Sequence, residues 1–323
     1  MMTRRDVLKS GVAAGIAASA ATPALALAPL PKTPVDFDVP AGACDCHVHV
    51  IGDPAKYPMS PSRVYTPPTA TADELLSLQK FLHMDRVVIV QPSFYGTDNS
   101  ATIDGMKQLG PARARGVAVI DDKTSATALA DMAKAGIRGI RLNLETTGVV
   151  DPAVSAKKLA DAVERVQGLG WHIQIYARLS VIAALGKELA EVPVPVVFDH
   201  FGGARAAQGP HQPGFDVLLG LVKSGRAYCK ISGAYRASDK APDYHDATPL
   251  AKALIAANAE RIVWGTDWPH PDSTRHPGHE TSDINPFIPI DDGRLLNELP
   301  KWAPDAATRH KILVDNPARL YGF

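Results

Sequence analysis

The feature that most constrains this chain is a regular alternation of two residue patterns. Eight short runs rich in β-branched residues recur: Ala43–Val50, Arg86–Gln91, Arg115–Ile120, Gly139–Asn143, His172–Ala177, Val194–Asp199, Ala227–Ser232 and Arg261–Thr266. Between them lie longer stretches with helical periodicity, such as Ala72–His83, Ser125–Ala135, Pro152–Leu169, Val181–Glu191 and Ala247–Ala257. Strand–helix alternation of this kind builds a parallel sheet, and eight units close on themselves so that no strand edge is left unpaired. The predicted fold is therefore α/β, a (βα)8 TIM-like barrel, as a single domain over residues 43–323. An open doubly wound sheet is the competing arrangement, and it is disfavoured because no glycine-rich phosphate turn follows the first strand. Beyond the eighth strand the chain is irregular from Pro271 to Asp292, and a last helix is predicted from Asp305 to Val314.

Composition narrows the partners. At 46% hydrophobic and 21% charged, the 323 residues describe a globular chain with one large core. Lys+Arg and Asp+Glu both number 34, so global charge argues for neither nucleic acid nor an anionic membrane as partner. Attraction for an anionic substrate must come from a local cluster of Arg and His. Cys44 and Cys46 would sit side by side on one strand, which is poor disulfide geometry, and all three cysteines read as small buried residues.

The N-terminus reads as an address. Paired Arg4 and Arg5 precede an alanine-rich apolar run from Gly11 to Ala21, and Ala24-Leu25-Ala26-Leu27-Ala28 supplies small residues in an A-x-A arrangement. This resembles a twin-arginine secretory signal over residues 1–26, cut after Ala26 and followed by a Pro-rich lead-in over 27–42. The expectation is a periplasmic protein with no stable membrane insertion after cleavage, since no later segment reaches transmembrane length.

Polar residues then fall where a barrel enzyme needs them, at the C-terminal ends of strands. The first strand ends in Asp45-Cys46-His47-Val48-His49, and alternation points Asp45, His47 and His49 inward with Cys46 and Val48 facing the helices. The second runs into Gln91-Pro92-Ser93. The fourth carries Arg141 and Asn143 on one face, and an inward Arg is costly unless it meets an anion, so Arg141 reads as a substrate-carboxylate clamp. The fifth ends in Gln174-Ile175-Tyr176, the sixth in Asp199-His200, the seventh in Ser232-Gly233-Ala234-Tyr235-Arg236, and the eighth in Thr266-Asp267-Trp268-Pro269-His270.

These residues resemble the amidohydrolase superfamily, whose marks are an H-x-H on strand one, a His on strand six and an Asp on strand eight: here His47, His49, His200 and Asp267. Within it the chain is similar to the branch of 2-pyrone-4,6-dicarboxylate lactonases and sugar-lactone hydrolases and isomerases, through Asp45–His49, Gln91–Ser93, Gly139–Asn143, Asp199–His200, Ser232–Arg236, Gly265–Pro271 and the closing Asn316–Gly322. The resemblance implies a carboxylic-ester hydrolase acting on a small anionic lactone. It implies Asp267 as the base that activates water, and His47, His49 and His200 as groups that polarise the carbonyl. Arg141 and Arg236 would hold substrate carboxylates, with Ser93, Tyr176, Tyr65 and His270 as further substrate-binding groups.

Many members bind zinc, adding a His at the end of strand five; this sequence has Tyr176 there, a poor zinc ligand, and His172 lies toward the other rim. No cofactor is the favoured expectation. A divalent metal such as zinc, if held, would take His47, His49, His200 and Asp267. After Arg141 the related lactonases carry a further basic residue, whereas this chain has Leu144-Glu145-Thr146-Thr147-Gly148, which shifts weight from an aromatic dicarboxylate toward another anionic or sugar-acid lactone. The rivals are a lactone isomerase, a metal-dependent hydrolase or decarboxylase of the same superfamily, and a non-catalytic binder of anionic ligands.

Overall fold

Each of the eight runs forms a strand in the computed structural model of the protein, which describes residues 28–274 and 276–323. They are β1 (Cys44–Val48), β2 (Arg86–Val90), β3 (Ala114–Ala118), β4 (Ile137–Asn143), β5 (His172–Tyr176), β6 (Val196–Phe198), β7 (Ala227–Ser232) and β8 (Ile262–Gly265). All pair in parallel and in chain order. Just past the last strand, the chain returns to the first: Asp267 N donates to His47 O and His49 N to Trp268 O, both at 2.8 Å. The Thr266 amide and hydroxyl both donate to the Asp45 carboxylate, at 3.0 and 2.6 Å. This seam brings the sheet round into a nearly closed barrel.

Helices cover the outside. The helix Ala72–Phe81 starts where Thr71 and Glu74 cap each other's backbone, and Pro152–Val166 starts on the Asp151 side chain. The single helix expected over Val181–Glu191 is two, Leu179–Ala184 and Gly186–Glu191. At Gly186 the backbone approaches Val217 so closely that a Cβ would lie 2.7 Å from its methyl group. The last predicted helix carries a widened turn and runs on past Val314. Ala306–His310 runs into a wider turn over Lys311–Asp315, and Asn316–Tyr321 follows. The secretory leader expected over residues 1–26 lies outside the described residues. The lead-in starts at the barrel mouth, with Pro29 O accepting from the Trp268 indole at 2.9 Å, and reaches the other end by Gly42, whose amide donates to Asp85.

The barrel interior is layered. Its floor is apolar: Cys44, Cys46, Val88, Val90, Val117, Val197, Val263 and Tyr228 pack with Tyr321 from the C-terminal helix. All three cysteines are free and buried, as expected. Above the floor the filling turns polar, with His47, Gln174, Asp199 and Lys230 all fully or almost fully buried.

One sequence expectation fails here. Simple alternation put Asp45 on the inward face and Cys46 among the helices, but the β1–β2 register shifts between Asp45 and Val48. A bulge of this kind inserts one residue and reverses the phase of the strand beyond it. Cys46 therefore joins the interior floor beside Cys44, and Asp45 turns into the seam, while His47 and His49 still face the mouth.

Candidate active site

The strand ends re-aim their side chains through unusual backbone. Asp267 has φ 71° and His200 has φ 47°. Such conformations cost a non-glycine residue on the order of 1–3 kcal/mol and persist only where surrounding contacts enforce them. Gly233 (φ 55°) makes the crowding possible: a Cβ there would sit 3.1 Å from His200 Nδ1 and 3.2 Å from Asp267 Oδ2.

Asp267 is the hub. Its Oδ1 lies 3.4 Å from His49 Nε2 and 3.6 Å from His47 Nε2, and its Oδ2 lies 3.9 Å from His200 Nε2. Oδ2 also accepts from the Tyr235 hydroxyl at 2.6 Å and from Arg236 Nε. Oδ1 has no hydrogen-bond partner although buried. Burial alone would push this carboxyl up. The Arg236 guanidinium, with His200, His49 and His47, outweighs it and holds Asp267 well below the usual carboxylate range. Burial pulls the His200 imidazole down to about 4, with Arg236 acting in the same sense against Asp267.

The other face of each imidazole is occupied. His49 Nδ1 lies 2.8 Å from Val90 O, which can only accept, so Nδ1 carries a proton and Nε2 is the nitrogen turned toward Asp267. His200 Nδ1 lies 3.0 Å from Ser232 Oγ. His47 Nδ1 faces a buried network, 3.3 Å from Lys230 Nζ and 3.2 Å from Asp199 Oδ1. Lys230 Nζ also donates to Cys46 O at 2.9 Å and Gln174 Oε1 at 2.7 Å, and Asp199 Oδ2 accepts from Arg141 Nε at 2.9 Å and Gln174 Nε2 at 3.1 Å. Burial pulls both His47 and Lys230 down. Around Asp199 the cations and His47 overcome burial and keep the carboxylate ionised.

Above the hub is a chamber of about 20 Å³ lined by His49, Tyr65, Ser93, Arg141, Tyr176, His200, Arg236 and Asp267, among others. It adjoins an open cleft of about 550 Å³ that shares Tyr176, His200 and Arg236 and is flanked by Arg178 and Arg205. The sequence thus brought together Asp267, the three histidines, Arg141, Arg236, Ser93, Tyr176 and Tyr65.

Two placements differ from expectation. His270 does not line the chamber: it is fully buried, Nε2 lies 3.1 Å from Asp292 Oδ2, and its ring packs edge-on against Tyr235. Arg236 is not a freestanding clamp, because its Nε is committed to Asp267. Lys230 went unread, although a lysine in phase with Ser232 inside the apolar run Ala227–Ser232 is the signal for an inward cation. Tyr235, the second donor to Asp267, was likewise missed.

The donors also bear on metal binding. Zinc bonds of about 2.0–2.1 Å in a tetrahedral shell place neighbouring donors about 3.3 Å apart. The 3.4 and 3.6 Å separations of His49 Nε2 and His47 Nε2 from Asp267 Oδ1 match that spacing. The Nδ1–H of His49 on a backbone carbonyl is the outer hydrogen bond that metal-binding imidazoles commonly make. The donor set fits a divalent ion in spacing, while Arg236 on the same carboxylate opposes further positive charge.

Comparison with known proteins places the geometry in context. The amidohydrolase family model matches residues 44–323. A 4-sulfomuconolactone hydrolase of Rhizobium radiobacter is 35% identical over 298 residues, covering 90% of this chain and 93% of that protein. A 2-pyrone-4,6-dicarboxylate hydrolase of Comamonas testosteroni is 34% identical, covering 88% of this chain and 92% of its own. Among solved structures, a probable 2-pyrone-4,6-dicarboxylic acid hydrolase of Acinetobacter baumannii with citric acid bound superposes with a TM-score of 0.71 at 27% identity, over 87% of this chain and all of that one.

Proposed function

The chain belongs to the amidohydrolase family, and from that premise we propose that it is a hydrolase that opens a small anionic lactone. The observation that carries this reading is the buried Asp267 carboxylate, whose unpartnered Oδ1 faces two imidazole Nε2 atoms beneath an arginine-lined chamber. Capture of an anion alone would need no such acceptor.

Water bound from the chamber side to Asp267 Oδ1 and to Nε2 of a neutral His49 meets two acceptors, so it is oriented with a lone pair free for attack. Asp267 takes one of its protons as the water oxygen bonds to the lactone carbonyl carbon. His200 lines the same space, with His47 directly behind it against Asp267, and the two stabilise the developing oxyanion. Collapse breaks the bond from carbonyl carbon to ring oxygen, and the ring oxygen recovers the proton held by Asp267. The products are the former ring hydroxyl and a carboxylic acid, which gives its remaining water-derived proton to solvent and becomes a carboxylate.

Arg141 serves as the substrate-carboxylate clamp: Asp199 fixes its Nε and Tyr176 lies under the guanidinium at 5.0 Å. Arg236 plays a double part. Paired with Asp267 it lowers the basicity of the resting enzyme, and a substrate carboxylate drawn to the same guanidinium loosens that pair and releases the base. If the protein carries zinc, His47, His49 and Asp267 would hold it, and the ion would polarise the carbonyl.

The segment after Arg141 supports a substrate other than an aromatic dicarboxylate. Glu145 is tied to Arg178 at 3.1 Å on the rim, and Thr146 is the residue of that segment lining the chamber. The N-terminal arginine pair and A-x-A run support a periplasmic site of action.

The test is a panel of anionic lactones assayed with a pH indicator before and after chelation, with product identification. Acid release that survives chelation supports hydrolysis by the chain's own groups. Loss on chelation with recovery on zinc moves the three ligands into a metal mechanism. A rearranged lactone formed without acid would make the enzyme an isomerase.

A further inference from the structure

Lys230 lies fully buried beneath His47, on the side away from the reacting atoms. An ammonium has three N–H bonds to place. Two are taken by Cys46 O at 2.9 Å and Gln174 Oε1 at 2.7 Å. The third can go to His47 Nδ1 at 3.3 Å or to Asp199 Oδ1 at 3.5 Å. Neither Lys230 Nζ nor His47 Nδ1, though 3.5 and 3.2 Å away, reaches Asp199 Oδ1 with good hydrogen-bond geometry. The aligned contact is Lys230 Nζ to His47 Nδ1.

We infer that Lys230 is a positioning residue that holds His47 as the Nε2–H tautomer, so that the ring offers the chamber a proton donor instead of a metal-binding lone pair. Receipt of a hydrogen bond at Nδ1 puts the ring proton on Nε2, the atom 3.6 Å from Asp267 Oδ1. His49 is fixed the opposite way, its Nδ1–H given to Val90 O, and so the two imidazoles present a donor and an acceptor side by side. The pair is matched to one carbonyl oxygen and one water. It is mismatched to a cation, which needs both lone pairs. Gln174 locks the arrangement, since its amide oxygen takes Lys230 and its nitrogen donates to Asp199 Oδ2 at 3.1 Å. The tautomer stands on this geometry alone; its kinetic consequence rests on the lactonase reading above.

The test is long-range proton–nitrogen correlation spectroscopy on the full chain with 15N-labelled histidine, the His47 signals being assigned by their loss in His47→Gln. The expected spectrum has a protonated Nε2 and a bare Nδ1 for His47, with the reverse for His49. A protonated Nδ1 on His47, or zinc bound to its Nε2 in the protein as purified, overturns the inference. Lys230→Met is expected to move the His47 proton to Nδ1 and to raise zinc affinity at least tenfold in competition with a chromogenic chelator. It should also lower kcat about 100-fold, the effect of losing one oxyanion donor, with KM within a few-fold. Unchanged zinc affinity in a folded Lys230→Met protein counts against the inference; should that variant not fold, the wild-type spectrum decides. An Nε2–H signal in a protein that opens no lactone would sink the lactonase reading and leave the tautomer standing. Lactone hydrolysis with an Nδ1–H signal would do the reverse.

Discussion

Replacing Asp267 by Asn separates the two jobs proposed for this carboxylate. The amide keeps the volume and can still accept from Tyr235, which donates to Oδ2 at 2.6 Å. It removes the base that faces His49 at 3.4 Å and the anion that engages Arg236. Loss of a general base lowers kcat by about 100- to 10,000-fold. Ligand binding should move the other way. On the proposed mechanism an incoming carboxylate competes with Asp267 for Arg236 in the wild type, and a hydrogen bond to a charged group contributes about 1.5–3 kcal/mol. Freed of that competition, Arg236 should bind a small carboxylate about tenfold to hundredfold more tightly. The assay is lactone turnover alongside calorimetric titration with citrate for wild type and Asp267→Asn, with circular dichroism to establish folding. Weaker citrate binding in the folded variant would refute the competition between Asp267 and substrate for Arg236. Retention of more than a tenth of kcat would refute the role of Asp267 as base.

Four further outcomes follow from particular contacts. Arg141→Met should raise KM by roughly tenfold or more with kcat little changed, because a clamp acts on the substrate in ground and transition states alike; a loss confined to kcat argues against the clamp. The same variant should lower Tm, since Asp199 loses the 2.9 Å bond from Arg141 while staying buried. Gly139→Ala should destabilise the barrel by about 1–3 kcal/mol, because a Cβ there runs into the His172 ring in the interior; adding His172→Ala should recover much of it in a denaturation series, and equal loss in the double variant would discount the clash. Stability should fall as pH drops from about 6.5. Burial lowers His200 to about 4, His172 to about 3 and His47 well below the ordinary value, so each binds its proton more tightly when unfolded, and stability present above the unfolded value is lost on acidification. Burial raises Asp45 to about 7, which acts in the opposite sense over the same window. Three histidines against one carboxyl leave about two protons' worth, or roughly 2–3 kcal/mol per pH unit near pH 5. Urea midpoints from pH 4 to 8 measure this, and a flat profile would show that these histidines are already protonated in the folded state.

The amino-acid pattern carried most of the architecture. All eight strands appear within a few residues of their predicted runs, because the period-two and 3.6-residue patterns survive wherever each element buries one face. It failed where geometry departs from regular periodicity. The β1 bulge reversed the phase around Asp45 and Cys46, and the helix expected over Val181–Glu191 divides at Leu185–Gly186. His270 shows a different limit. It follows the hub residue Asp267 closely, yet with φ 65° the chain turns its ring away from the chamber and onto Asp292.

By itself, then, the sequence determined the parallel barrel, the mouth at which chemistry would sit, and most of the residues that line it. These follow from local periodicity and from polar residues recurring at strand ends, both of which are properties of near neighbours in the chain. Which ring nitrogen faces which atom belongs to the tertiary structure alone. Lys230 meets His47 across 183 residues, and Asp199 meets Arg141 across 58. Asp267 is held by Arg236, 31 residues away, so that a residue read as a clamp is also a restraint on that carboxylate. Proton placement depends on donors and acceptors a few ångströms apart, and closure of the barrel is what brings them to those distances.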